Sequence, residues 1–196
     1  MAPTEDARDQ PLVGMRLDQA GRTAFFLWFN LEPVARRDAR TTAFKPSGPS
    51  FRELVTVTVR TDDADRIAAI ELSIARSFIE DPRQGMFAAD IAKSFLGAAL
   101  AAPDRAHMQH LIDTIAYGGT YAKPILAAEP RGGPAPQIER DSAPYLVWLG
   151  RNPYWRRPFD TVLLELENAE TERGGALRLA VSAYGAPEDQ PSPPSS

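Results

Sequence analysis

Strand-like and helix-like hydrophobic patterns occupy separate parts of this chain. Strand-like segments come first, two helix-like segments follow, and strand-like segments then return: residues 12–17, 23–31 and 51–61, then 81–101 and 103–118, then 145–149, 161–167 and 176–184. A parallel α/β fold would need regular alternation of strands and helices, whereas segregated elements are typical of α+β folds. The sequence therefore predicts an α+β fold, an antiparallel β-sheet with two central helices packed on one face as a two-layer sandwich.

The clearest strand pattern lies in residues 51–61. Val55, Val57 and Val59 alternate there with polar residues, and a period of two is typical of a strand with one buried face. The next segment, residues 66–80, fits both a strand and a helix, because its apolar residues recur at both spacings. We favour a strand, since a short acidic turn directly after a strand indicates a hairpin.

Residues 23–31 are rich in aromatic side chains and are also predicted to form a strand, followed by a polar loop at residues 36–50. In that strand Phe26 and Trp28 would point away from the other apolar side chains. A sheet that has helices on one face only leaves its second face exposed to solvent. Phe26 and Trp28 are therefore candidates for an apolar binding patch, and the alternative is that a loop covers them.

Two helices are predicted in the middle of the chain. Asp81 and Pro82 supply an N-cap and a proline at the first helical position of one, and Pro103 begins the other. Their apolar faces contain Met86, Phe87, Ile91, Phe95, Leu96 and Leu100 in the first helix, and Met108, Leu111, Ile112 and Ile115 in the second. Residues 118–144 then form a long connection rich in glycine and proline, a kind of loop that is often functional.

The last two strand-like segments predict a hairpin with a specific register. Their inward side chains match if Leu166 pairs with Leu177, Leu164 with Leu179 and Val162 with Val181. The same register sets Glu165 opposite Arg178, which would form a favourable cross-strand ion pair.

The chain is predicted to hold one domain, residues 12–185. Residues 1–11 form a polar leader and residues 186–196 a tail rich in proline and serine, and both are predicted to be disordered. The start of the chain lacks the apolar region of a signal peptide, and the longest strongly apolar run, residues 24–29, is too short to cross a membrane. We favour a cytoplasmic location, with export as the alternative if a leader has been removed.

The residue types present exclude several kinds of chemistry. Without cysteine there can be no disulfide, thiolate metal site or cysteine nucleophile. The chain also lacks a serine elbow, a phosphate-binding loop and a dinucleotide fingerprint, so no cofactor is predicted. His107 and His110 would lie away from the apolar face of their helix, which favours a solvated surface over a metal site. Glu165 and Glu167 share a strand face without any sign of a catalytic pair.

The most distinctive segment is residues 151–159, which combines three arginines, three aromatics and two prolines. Arginine and aromatic side chains dominate interface hot spots, and guanidinium groups bind anions in a bidentate manner. The candidate binding residues here are Arg151, Tyr154, Trp155, Arg156 and Arg157. The alternative is a surface loop whose Trp155 and Phe159 fill the core.

These features together predict a non-enzymatic binding or accessory protein that acts through protein–protein contacts. The alternative is a domain that binds, and in one version hydrolyses, a small anionic ligand or a glycan in a cleft near residues 151–159. A net charge of −4 argues against nucleic acid as the partner, because nucleic-acid-binding proteins normally present a basic face.

Overall fold

The computed structural model describes residues 10–106, 108, 138–159, 161–171 and 174–184. Residues 102–106 are helical and are not given a label of their own; the labelled elements follow. In chain order these elements are α1 (Leu17–Ala20), α2 (Ala24–Trp28), β1 (Leu31–Arg36), β2 (Thr41–Pro46), α3 (Pro49–Arg52), β3 (Val55–Thr61), β4 (Ile67–Ala75), α4 (Arg76–Glu80), α5 (Gly85–Ala99), α6 (Ile138–Trp148), β5 (Tyr154–Pro158), β6 (Val162–Thr171) and β7 (Gly174–Ala183).

The seven strands form one antiparallel sheet in the order β1-β2-β3-β4-β7-β6-β5. Strands β1 to β4 make one run of neighbours and β5 to β7 make another, and the pairing of β4 with β7 joins them. Helices α4, α5 and α6 contact the strands. The predicted α+β class and the antiparallel sheet are therefore confirmed.

The two faces of the sheet differ in burial. One row of paired side chains that runs through Phe44, Val57, Leu72, Leu179 and Leu166 is buried and belongs to a single core with residues of α2 and α5. The residues between them point the other way and are half-buried or exposed. The alternation that identified residues 51–61 from the sequence is the direct cause, since successive side chains of a strand point to opposite faces.

The predicted strand at residues 23–31 is wrong. Its first half is the helix α2, in which Phe25 and Phe29 make an edge-to-face contact one turn apart. Asn30 then takes a positive φ of 43°, which turns the chain into β1 at Leu31. Consecutive aromatic residues can fill a core from a helix as well as from a strand, and packing of Phe25 against Phe95 of α5 decides for the helix.

Two other N-terminal predictions are also corrected. Residues 12–17 form no strand and contribute a single bridge, between Arg16 and Arg66, before α1 begins. Residues 36–50, predicted to be a polar loop, contain β2 and α3. The β1–β2 turn is held by Asp38, whose carboxylate accepts hydrogen bonds from the backbone N–H groups of Arg40 and Thr41, both at 2.8 Å.

The ambiguous residues 66–80 contain a strand followed by a short helix. The favoured hairpin is present, with β4 antiparallel to β3, and α4 follows directly at Arg76. Of the residues at helical spacing only Phe78 lies in the helix, and the chain changes from strand to helix after residue 75.

Helix α5 confirms the first predicted helix, but it begins at Gly85 and not at Pro82, and only part of the predicted apolar face is buried. Ile91, Phe95, Leu96 and Leu100 are buried, whereas Met86 and Phe87 are exposed at its first turn. Residues 102–106 and Met108 begin the second predicted helix, and the rest of it lies outside the described residues. Residues 118–137 of the predicted long connection also lie outside them, and residues 138–144 are helical, as the start of α6. The strand predicted at residues 145–149 is wrong, because residues 145–148 are the last residues of helix α6.

The C-terminal hairpin exists, but its predicted register is shifted by two residues. Leu166 pairs with Leu179 and Leu164 with Val181, while Glu165 faces Ala180 and Arg178 faces Glu167. A shift of two keeps every inward side chain inward, so the apolar pattern cannot distinguish the two registers. The turn between the two strands selects the observed register. Thr171 pairs with Gly174, whose φ of +102° favours glycine. The predicted leader and tail lie outside the described residues, apart from residues 10 and 11.

Candidate functional site

The arginine–aromatic segment forms the chain's entry into an edge strand. Helix α6 ends in a turn at Gly150, which has a φ of +75°, and β5 then runs along β6 at the margin of the sheet. Among the described residues no strand pairs with the other side of β5. The segment is thus neither a free loop nor a central strand of the sheet. One side of its backbone is hydrogen-bonded to β6, and the other side pairs with no described strand.

A half-buried polar cluster fixes where β5 begins. The Arg76 guanidinium donates hydrogen bonds to the last carbonyls of α6, those of Val147 at 2.6 Å and Trp148, and to the side-chain oxygen of Asn168 in β6. The Asn168 amide donates in turn to the carbonyls of Val147 at 2.8 Å and Asn152 at 2.6 Å. Burial lowers the pKa of Arg76, and Glu80 opposes that effect. This cluster ties the end of α6 to the sheet, since helix C-terminal carbonyls otherwise lack partners.

The outward backbone groups of β5 can be assigned from its register. Pro153 accepts a hydrogen bond from Asn168, and Phe159 donates one to Val162. Alternate residues of an antiparallel strand bond to the same neighbour, so the N–H groups of Tyr154 and Arg156 point away from β6. Pro158 would be the third outward donor, but proline has no N–H. The margin therefore offers two donors and three carbonyl acceptors.

The side chains of β5 alternate between the two faces of the sheet. Tyr154 and Arg156 are exposed on the outer face, where the Tyr154 hydroxyl donates a hydrogen bond to Glu165 of β6. Trp155 is half-buried and packs against the core, and the Arg157 guanidinium lies 5.3 Å from the centre of the Phe159 ring. Trp155 and Phe159 contact the core, while Tyr154 and Arg156 face solvent. The binding role of this segment stays a prediction.

Residues 151–158 carry three arginines and no acidic residue, and Glu165 and Glu167 of β6 lie opposite Arg156 and Tyr154. Within the part of the chain that the structure describes, Arg151, Arg156 and Arg157 form no ion pair with a carboxylate. Burial raises the pKa of Tyr154, and the hydrogen bond to Glu165 and its negative charge raise it further, while Arg156 opposes them. Arg178, predicted to pair with Glu165, instead lies 3.6 Å from Glu167 and 4.0 Å from Glu71.

Phe26 and Trp28 lie elsewhere in the molecule and do not join this margin. Phe26 is 3 % exposed and packs edge-to-face on Phe44 of β2, so it is a core residue and not part of an apolar patch. Trp28 is 78 % exposed at the end of α2. From β2 to β5 there are five strand spacings, about 24 Å along the sheet. The seven candidate residues therefore do not form one groove.

The other candidate groups are His107, His110, Glu165 and Glu167. His107 and His110 lie outside the described residues, and no cluster of three metal-ligating side chains occurs in the remainder. Glu165 and Glu167 are each engaged, by Tyr154 and Arg178 respectively. No described helix is long and apolar enough to cross a membrane.

Comparisons with protein-family models, with characterised proteins and with solved structures find no match. The site must therefore be interpreted from its own geometry.

Sequence reasoning missed Arg76 and Asn168, which position the start of β5. Each is a lone polar residue whose partners are far away in sequence, Asn168 lying 92 residues from Arg76. The only available signal was Gly150, a glycine directly after a helix, which marks a helix C-terminus.

Proposed function

We propose that this protein is a non-enzymatic binding or accessory protein that recognises a protein partner through the β5 margin, defined as residues 151–158. The observation that supports the proposal is the unpaired outer side of β5 among the described residues, with Tyr154 and Arg156 exposed beside it. Tyrosine and arginine are enriched at the energetic centres of interfaces. The Arg76–Asn168 cluster and two prolines hold the segment in place, so little conformational entropy is lost on binding.

A crosslinking experiment tests this proposal. A photoreactive amino acid replaces Tyr154 in one protein and Tyr184, at the end of β7, in a matched control, because their side chains are 45 % and 41 % exposed. We expect a crosslinked partner only from position 154. Excess unlabelled protein should compete for it, whereas the Tyr154→Ala/Arg156→Ala double variant should not. Equal competition by the wild type and the double variant would contradict a binding role for this margin.

A further inference from the structure

The outer side of β5 carries the features of a site that accepts an added strand. It offers outward N–H groups at Tyr154 and Arg156 and outward carbonyls at these residues and Pro158, as derived from the register with β6. Strand addition uses main-chain hydrogen bonds for affinity and alternate side chains for specificity. The backbone of β5 therefore determines the shape of the ligand, an extended segment.

The side chains beside that backbone determine the ligand's charge. On the outer face an added strand would lie next to Arg156, and on the inner face next to Trp155 and Arg157. Arg156 and Arg157 have no ion-paired carboxylate among the described residues. Cross-strand pairs of opposite charge stabilise a sheet, and a guanidinium binds a carboxylate in a bidentate manner. A strand that alternates acidic and apolar residues would set carboxylates beside Arg156 and apolar side chains beside Trp155.

We infer that the β5 margin binds an extended acidic segment of a partner protein, which adds to the sheet as an eighth strand. This inference rests on the proposed function and names the chemical class of its partner. A second copy of this chain fits less well, because pairing β5 with β5 would bring two sets of arginines together, and like charges across strands are destabilising.

A titration of the full-length, isotope-labelled chain tests the inference by nuclear magnetic resonance. The probe is a peptide of about eight residues, within the usual length of strands, in which glutamate and valine alternate. One control peptide carries lysine in place of glutamate. The other carries N-methyl groups on those backbone nitrogens that would donate hydrogen bonds to the β5 carbonyls. We expect the acidic peptide to shift the amide signals of Tyr154 and Arg156 and to slow their hydrogen exchange. Its affinity should exceed those of both control peptides by about ten-fold or more.

A charge-reversal variant sharpens the test. Arg156 is exposed, so Arg156→Glu should leave the fold intact, and it should reverse the preference towards the lysine peptide. Arg60→Glu is the matched control, an exposed arginine on β3 whose reversal should leave the preference unchanged.

Several results would overturn the inference. Equal affinity for the acidic and lysine peptides, absence of binding, dimerisation through β5, or slow exchange of both amides in the free chain would each do so. The last result would mean that another segment of this chain already occupies the margin. If the acidic peptide fails while crosslinking at position 154 remains specific, the inference falls and the proposed function stands. If both experiments fail, both proposals fall.

Discussion

Arg76 is the single residue on which the geometry of the site depends most. Its guanidinium joins the end of α6 to Asn168 of β6, and a Cβ at Gly150 or Gly175 would lie 3.5 or 3.2 Å from its side chain. A Cβ at position 175 would crowd the arginine, whereas one at position 150 would make ordinary van der Waals contact with it. The packing between α6, α4 and β7 is therefore built around one half-buried charge that makes three hydrogen bonds.

Replacement of Arg76 by methionine should destabilise the fold by about 2–3 kcal/mol, because the carbonyls of Val147 and Trp148 lose charged donors while the stem is kept. Urea denaturation measures the loss. Arg60→Met, at an exposed position, should change the unfolding free energy by less than about 0.5 kcal/mol. Equal stability of the two variants would show that the Arg76 hydrogen bonds make no net contribution.

Tyr145 in α6 should make the fold sensitive to alkali. Burial raises its pKa above the usual 10.0, and Arg151 opposes the rise. A raised folded-state pKa contributes stability that is complete below pH 10.0 and is lost as the pH rises through the folded value. The unfolding free energy should therefore decline above that pH, and less steeply in Tyr145→Phe. Tyr184→Phe serves as the exposed control, and an unchanged slope in Tyr145→Phe would refute the assignment.

At the scale of elements, the register of the β6–β7 hairpin can be tested directly because the chain has no cysteine of its own. Val162 and Ala183 are opposite each other, in a pair whose N–H groups point away from one another. Such pairs have Cα atoms about 4.5 Å apart, which suits a disulfide. Val162→Cys/Ala183→Cys should oxidise readily under mild conditions.

The control is Val162→Cys/Val181→Cys, which joins the residues that the apolar pattern alone would pair. In the observed register these positions are offset by two residues, so their Cα atoms lie beyond the roughly 7 Å that a disulfide spans. Preferential oxidation of this second pair, measured by loss of free thiol, would restore the register predicted from the sequence.

The sequence predicts elements where one local pattern has one interpretation. Strand β3 is predicted from its alternating valines, although the predicted strand starts at residue 51, inside α3, and the observed one at Val55. Helix α2 and strand β2 are missed because their form depends on distant partners: Phe25 packs on Phe95, and Phe26 packs on Phe44. The local sequence also does not indicate that β5 lies at the edge of the sheet, although its arginines and aromatics identify it as a candidate binding segment.

At the scale of the whole molecule, the α+β fold class can be predicted because strand-like and helix-like segments are separated along the sequence. The order of the strands in the sheet cannot be predicted in this way and is known only from the structure. The sheet is held together at its centre by β4 and β7, and its two margins are the short strands β1 and β5. Both margins contain proline, at Pro33 and Pro158, and each proline lacks the N–H that the other strand residues carry.

Hydrogen exchange should reflect this arrangement. The amides of β3, β4 and β7 that bond between strands should exchange slowest, through global unfolding, and those of β1 and β5 fastest, through local opening at the margins. Exchange measured by mass spectrometry or nuclear magnetic resonance gives the ranking. Margins that exchange as slowly as β4 would indicate that the sheet opens only as one unit.

The pairing of β4 with β7 also has a consequence during synthesis. Ile74 pairs with Leu177, about a hundred residues later in the chain. At a translation rate of roughly 5–20 residues per second, β4 waits roughly 5–20 seconds on the ribosome for its second neighbour. Throughout that interval Ile67, Ile70 and Leu72 belong to an incomplete core beside an open strand edge. We therefore expect this edge of β4 to stay open to pairing with other strands until the last hairpin emerges.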